Sequence, residues 1–224
     1  MATIVLVHGL WSDGGSWAPV ITELRAMGHE PVAAQLGLEA FADDVASVRR
    51  TLATVDGPVL LAGWSYGGAV IGEAARGMPE VQALAYVAAF APAEGESVSL
   101  LSRSHPNDIP AHVVVAGDYT YIRRATFGEL LAADAPADAV AVAAATQGMM
   151  RIGLDRVKVG PPAWLELPSH YLLTMADRCV SPLLQREMAD RMGAAVTEID
   201  ASHAPLLSRP REVAEFLDGA CRGL

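Results

Sequence analysis

The stretch Val59-Leu60-Leu61-Ala62-Gly63-Trp64-Ser65-Tyr66-Gly67-Gly68 decides the reading of this chain. Its first half is a charge-free apolar run of the kind that forms a strand buried on both faces. It passes directly into Gly-x-Ser-x-Gly-Gly, and a helical pattern begins near Ala69. A turn that tight leaves no room for side chains at Gly63 and Gly67. It forces the residue between them into a strained backbone with its side chain exposed. The same glycines would also suit a turn that merely lets a helix pack on a strand. The strand before and the helix after favour a nucleophile elbow, with Ser65 as the nucleophile.

Outward from this stretch, β-rich runs alternate with helical patterns, which is how a parallel sheet with crossover helices reads. Ile4 to Val7 is a strand, and Ser16 is placed to cap a helix running to about Met27, ended by Gly28. Glu30 to Ala34 is a second strand and Phe41 to Val55 a helix. Pro58 to Trp64 is the third strand, Gly67 to Arg76 a helix and Val81 to Phe90 the fourth strand. Between Ala91 and Pro168 the alternation stops. Alanine-rich, polar and proline-containing sequence replaces it and reads as a helical insertion. The pattern resumes with strand His170 to Met175, helix Pro182 to Met192, strand Ala195 to Ile199 and helix Pro210 to Cys221. The expected architecture is one α/β domain over residues 1–224, with its core at about 1–90 and 169–224 and a helical lid at about 91–168 inserted after the fourth strand.

A serine hydroxyl needs a base at neutral pH. His203, in Asp200-Ala201-Ser202-His203-Ala204-Pro205, follows the last strand directly, at the strand end where such sheets place their ligands. The other five histidines are less well placed: His29 ends a helix, His105 and His112 fall in the insertion, His170 begins a strand and His8 follows the first strand. The base in turn needs a carboxylate to fix its tautomer. In this fold class the chain order is serine, acid, histidine. Asp177 meets both conditions, just beyond the penultimate strand. Glu94 and Glu96 after the fourth strand are rivals, and Asp200 is too near His203 in sequence to face its ring. An ordinary ion pair of Asp177 with Arg178 or Arg186 is the plainer alternative.

Acyl transfer also needs N–H donors for a tetrahedral oxyanion. The amide of Tyr66, at a helix N-terminus, and that of Leu10, in His8-Gly9-Leu10-Trp11, are the candidates. His8 is expected to brace this loop by hydrogen bonds rather than move protons.

Composition narrows the function further. With 52% hydrophobic and 19% charged residues, the chain has material for a large core. Sixteen basic against 26 acidic residues give a net charge of -10, which repels nucleic acid and anionic membranes. Cys179 and Cys221 are the two cysteines and read as free thiols, with no metal site and no disulfide framework. The first residues lack a basic segment and reach His8-Gly9 too soon for a signal peptide, and no run of about 20 apolar residues is present. A cytoplasmic protein, monomeric or homodimeric, needing no cofactor and taking a small-molecule substrate, is expected.

Val5-Leu6-Val7-His8-Gly9, the elbow, Asp177 and Ser202-His203-Ala204-Pro205 together resemble the α/β-hydrolase superfamily. More narrowly, they resemble its small branch of plant methyl-salicylate esterases, hydroxynitrile lyases and bacterial esterase-like relatives. The resemblance spans nearly the whole chain and is weak in the insertion. Trp64 stands where much of this branch has His. The lyases carry a Thr after the His of the first motif and a Lys directly after the catalytic His, and here those positions are Gly9 and Ala204. Ser65 departs from epoxide hydrolases and haloalkane dehalogenases, which use an Asp nucleophile. The resemblance therefore implies a cofactor-free serine esterase or lactonase working through an acyl-enzyme. Lyase or rearrangement chemistry on a natural product and slow-turnover ligand binding are its alternatives. Trp11, Trp64, Tyr121, Phe127 and Trp164, with Tyr119, Met149 and Met150, are the expected pocket residues. The cations Arg123, Arg124 and Arg151 read as solvated surface, which leaves a neutral, small to medium apolar ester as the expected substrate.

Overall fold

A strand buried on both faces must be apolar throughout, and this requirement sorts the strands of the chain by position. The computed structural model describes residues 2–222 and 224. Its strands in chain order are β1 (Thr3–Val7), β2 (Glu30–Ala34), β3 (Val59–Trp64), β4 (Val81–Val87), β5 (Val113–Ala116), β6 (Tyr119–Ile122), β7 (Met150–Arg151), β8 (Ser169–Thr174) and β9 (Ala195–Ile199). Six of them form a parallel sheet in the order β2-β1-β3-β4-β8-β9. Every residue of β3 is buried, while β2 and β9, which carry Glu30, Pro31 and Glu198, are the edges. Proline is tolerated there because an edge strand leaves one row of backbone donors unused.

The helices are α1 (Ala18–Ala26), α2 (Phe41–Leu52), α3 (Gly67–Ala74), α4 (Val98–Ser102), α5 (Ile109–His112), α6 (Phe127–Leu131), α7 (Ala137–Thr146), α8 (Pro182–Met192), α9 (Pro205–Ser208) and α10 (Pro210–Ala220). They flank the sheet in packed pairs, α1 with α10 and α2 with α3. The stripe Phe41, Val45, Val48 and Leu52 supplies the buried face of α2 at helical spacing.

Three local expectations shift. The cap ahead of α1 is Asp13, not Ser16: the Asp13 carboxylate accepts the Gly15 N–H at 2.7 Å, and a 3-10 turn over Gly14–Trp17 precedes the helix. The fourth strand stops at Val87 because Ala88 turns to a φ of 45°. The segment between β4 and β8 is not purely helical. Alongside α4 to α7 it carries an antiparallel sheet in the order β5-β6-β7. The β5-β6 hairpin closes through Gly117-Asp118, with Gly117 at a φ of 61° that suits a tight turn.

Register sets the site. Val7 of β1 lies opposite Gly63 of β3, so the residues just past β1 arrive beside Ser65.

Candidate active site

The elbow is built by close approaches that only glycine permits. A Cβ on Gly63 would stand 2.5 Å from the Gly67 carbonyl oxygen, and one on Gly67 would stand 2.5 Å from the carbonyl oxygen of Val7. Ser65 is left at a φ of 56°, a strain of about 1–3 kcal/mol that the surrounding bonds hold in place. Its N–H donates to the Val87 carbonyl at 3.2 Å, and its own carbonyl accepts from Gly68 and Phe90. The side chain is thereby aimed away from the sheet.

His203 meets it there. Ser65 Oγ lies 2.9 Å from His203 Nε2, and His203 Nδ1 lies 2.7 Å from Asp177 Oδ2. With Nδ1–H donated to the carboxylate, Nε2 is free to accept the serine hydroxyl. The Asp177 side chain has no exposed surface. Its Oδ1 accepts the N–H groups of Cys179 at 2.7 Å and Val180 at 2.8 Å, and its Oδ2 also accepts from Thr174 Oγ1 at 3.0 Å and Gln185 Nε2 at 2.9 Å. So many donors fix a buried carboxylate in orientation. The rival acids are engaged or elsewhere. Glu96 pairs with Arg191, Glu94 and Asp200 are exposed, and Arg178 and Arg186 take Asp108 and Glu198 as partners.

The loop carrying His203 is tied on several sides. Trp64 Nε1–H donates to the His203 carbonyl at 2.7 Å, and its ring packs 5.5 Å from the imidazole. The Ala204 N–H donates to Leu131 at 2.7 Å, and the Ser202 hydroxyl donates to Asp134. His8 is buried and braces the neighbouring loop as expected: its Nδ1–H faces the Gly9 carbonyl at 2.9 Å, and Nε2 accepts the Leu36 N–H at 3.0 Å. Burial lowers its pKa from 6.5, which keeps it in the neutral form this pattern needs.

Leu10, Trp11, Ser65 and His203 line one narrow cavity of about 60 Å³. Among the described residues, no protein acceptor meets the Leu10 or Tyr66 N–H, which leaves both donors free. The remaining wall comes from Phe90, Val98, Ile109, Leu131, Cys179 and Asp155. An outer groove of about 470 Å³ adjoins it, sharing Trp11, Ser102, Ile109 and Asp155 as walls and continuing past Met150.

Of the expected pocket residues, Trp11 lines both spaces, with its Nε1–H on Thr120 at 3.1 Å. Met150 lines the outer groove, and four others are placed differently. Trp64 is 2% exposed and holds the His203 loop, and Phe127 is buried in α6. Trp164 donates to the Pro92 carbonyl beneath Arg191, and Tyr121 lies under Arg124. Aromatic side chains in the inserted segment went to packing because each had a partner there. The cavity wall is supplied by small aliphatic residues that leave no distinctive sequence signal.

The donor atoms of Asp177, Cys179 and His203 lie within 4.8 Å of one another. Two of them are committed to each other, and burial holds the Cys179 thiol well above its ordinary pKa, so the set is one of proton-bearing groups rather than a metal nest.

The model of the alpha/beta hydrolase family matches residues 4–216. The carbendazim hydrolyzing esterase of Nocardioides sp. (strain SG-4G) is 34% identical over 128 residues, 51% of this chain and 53% of that protein. The chain thus aligns with about half the length of that relative. A pyrethroid hydrolase of Sphingobium wenxiniae is 26% identical over an alignment that covers 96% of this chain and 85% of its own. Among solved structures, a methylesterase from Arabidopsis superposes with a TM-score of 0.81 at 17% identity over 100% of both chains, a likeness of fold.

Proposed function

The chain belongs to the alpha/beta hydrolase family, and from that premise we propose that it is a serine hydrolase cleaving small to medium, largely apolar carboxylic esters or lactones. The observation that carries this reading is the unbroken chain Ser65 Oγ, His203, Asp177, with links of 2.9 and 2.7 Å. Ser65 attacks the carbonyl carbon as His203 Nε2 takes its proton. Asp177 holds the imidazole in the tautomer that can do so and stabilises the imidazolium that forms. The N–H groups of Leu10 and Tyr66 receive the oxyanion. His203 then gives its proton to the departing alkoxide, and a water activated by the same nitrogen releases the acid from the acyl-enzyme.

The shape of the site supports a division of the substrate. A cavity of about 60 Å³ beside Ser65 suits the smaller half of an ester, and the outer groove suits the larger. Relatives named as a carbendazim hydrolyzing esterase and a pyrethroid hydrolase support ester-type hydrolysis of small molecules. The substrate is a small molecule, since the net charge of -10 disfavours nucleic acid, and none of the described helices is long and apolar enough to cross a membrane.

A fluorophosphonate probe together with a graded series of p-nitrophenyl esters tests the reading. Labelling and turnover that both vanish in Ser65→Ala are expected. Turnover that survives in purified Ser65→Ala would remove it.

A further inference from the structure

Resting on the hydrolase reading, we propose that Asp155 selects esters bearing a protonated nitrogen, by receiving that N–H at the neck between the inner cavity and the outer groove.

Three observations meet at this residue. Asp155 is the one carboxylate that lines both the cavity holding Ser65 and the groove outside it. The wall around it in the inner cavity is mostly apolar, with Leu10, Trp11, Phe90, Val98, Ile109 and Leu131 beside Ser102, Cys179 and the Ser65–His203 pair. A half-buried carboxylate in such a wall has given up water on one side and gains most from a donor brought by the ligand. Among the described residues, its carboxylate has no hydrogen-bond or ion-pair partner, and the exposed arginines nearby, Arg103 and Arg156, do not reach it.

The backbone keeps it there. Asp155 sits in a 3-10 turn, Leu154–Arg156, entered through Gly153 at a φ of 95° and packed against α4 through buried Leu154. The charge also acts inward: it adds to the effects that hold the Tyr66 hydroxyl in its protonated form. Arg103 and Arg156 line only the outer groove and are exposed, so the positive charge stands at the mouth and the negative charge at the neck. A carboxylate-bearing substrate is repelled from the neck. A neutral ester passes with no gain, and a protonated amine gains a charge-assisted hydrogen bond.

Matched ester pairs isolate this term. On the alcohol side, 2-(dimethylamino)ethyl butyrate and 3-methylbutyl butyrate differ in shape only by a protonated nitrogen in place of a carbon. On the acyl side, the p-nitrophenyl esters of 4-(dimethylamino)butyric and 5-methylhexanoic acid do the same. For each pair, the ratio of kcat/KM values is compared between wild type and Asp155→Asn, so that intrinsic differences between leaving groups cancel. The expected result is a preference for the nitrogen ester that falls about tenfold in Asp155→Asn in at least one pair, and that Asp155→Glu retains. Far-ultraviolet circular dichroism of the same preparation reports that the variant is folded. An unchanged ratio in both pairs overturns this inference and leaves the hydrolase reading standing. Failure of the wild type to turn over any ester or to take up a fluorophosphonate overturns the hydrolase reading, and this inference with it.

Discussion

Tyr66 donates its hydroxyl to Asp44 Oδ2 across 2.8 Å, joining the residue beside Ser65 to a carboxylate that has no exposed surface. Asp44 Oδ1 accepts the Leu38 N–H at 3.0 Å, and the Leu38 carbonyl in turn accepts the N–H of Arg151 in β7. One buried acid thus ties the elbow to the loop after β2 and, through that loop, to the inserted sheet. Burial raises its pKa from the ordinary 3.8, so the native state holds this proton more tightly than the unfolded chain does. By linkage, its contribution to stability is greatest at low pH and is lost as pH rises through the interval above 3.8. The stability of wild type minus that of Asp44→Asn, from urea unfolding, should therefore fall with pH across that interval. A flat or rising difference would contradict the assignment. Tyr66→Phe leaves Asp44 with one donor fewer and should cost about 1–3 kcal/mol at neutral pH.

Ser65→Ala and His203→Ala should each lower kcat by about a thousandfold or more, and the double variant should be little worse, because nucleophile and base act as one unit. Steady-state kinetics on a p-nitrophenyl ester checks both. Additive losses would mean that the two groups work independently.

Asp177→Asn places an amide where five donors converge, and whichever way it turns, an NH2 faces one of them. The expected loss in kcat is about 10²–10⁴, with the wrong histidine tautomer favoured. If Asp177→Asn is near normal while Glu94→Gln or Glu96→Gln is inactive, the acid lies after β4 instead.

Two glycines should fail differently. A Cβ on Gly63 would meet backbone at 2.5 Å, with nothing able to yield, so Gly63→Ala should not fold to a soluble native state. A Cβ on Gly9 would meet Ser65 Cβ at 2.8 Å, a contact that a small shift of the Gly9 loop or of the elbow relieves at the cost of the Ser65 position. Gly9→Ala should keep its far-ultraviolet circular dichroism while losing most of kcat. Full activity in Gly9→Ala would show that the Ser65 position tolerates more than the geometry allows.

Gly9 and Ala204 stand where the hydroxynitrile lyases that the sequence resembles carry a hydroxyl and an ammonium, so departing cyanide would have no counter-charge. Mandelonitrile should not be cleaved above background while a short p-nitrophenyl ester is. Cyanide release that depends on Ser65 would promote the lyase reading.

The central sheet was legible because its signals are local. A run such as Val59 to Trp64 has one physical solution, and Ser65 follows from the collision geometry of its flanking glycines. His203 and Asp177 were legible because strand ends and chain order restrict the choice. The small sheet in the insertion was missed: Val113 to Ala116, Gly117-Asp118 and Tyr119 to Ile122 form a hairpin, but the surrounding alanine-rich sequence outweighed its signal. The cavity wall was not legible. Val98, Ile109 and Leu131 are apolar residues on short helices, and only the tertiary path of the insertion decides that they face Ser65 and not each other. Trp64 misled for the opposite reason. Its large ring suggested a ligand surface, and the indole N–H found a carbonyl first.

That carbonyl belongs to His203, whose loop is also held from the other side, by Leu131 at the end of α6 and by Asp134 just beyond it. The consequence concerns how molecules come and go. Swinging α6 outward to admit a substrate would pull on the strand of loop that presents the imidazole, and would disarm the centre at the moment it was uncovered. A site wired this way cannot use α6 as its door. Traffic must pass through the groove as through a keyhole, with the mechanism inside kept cocked between turnovers.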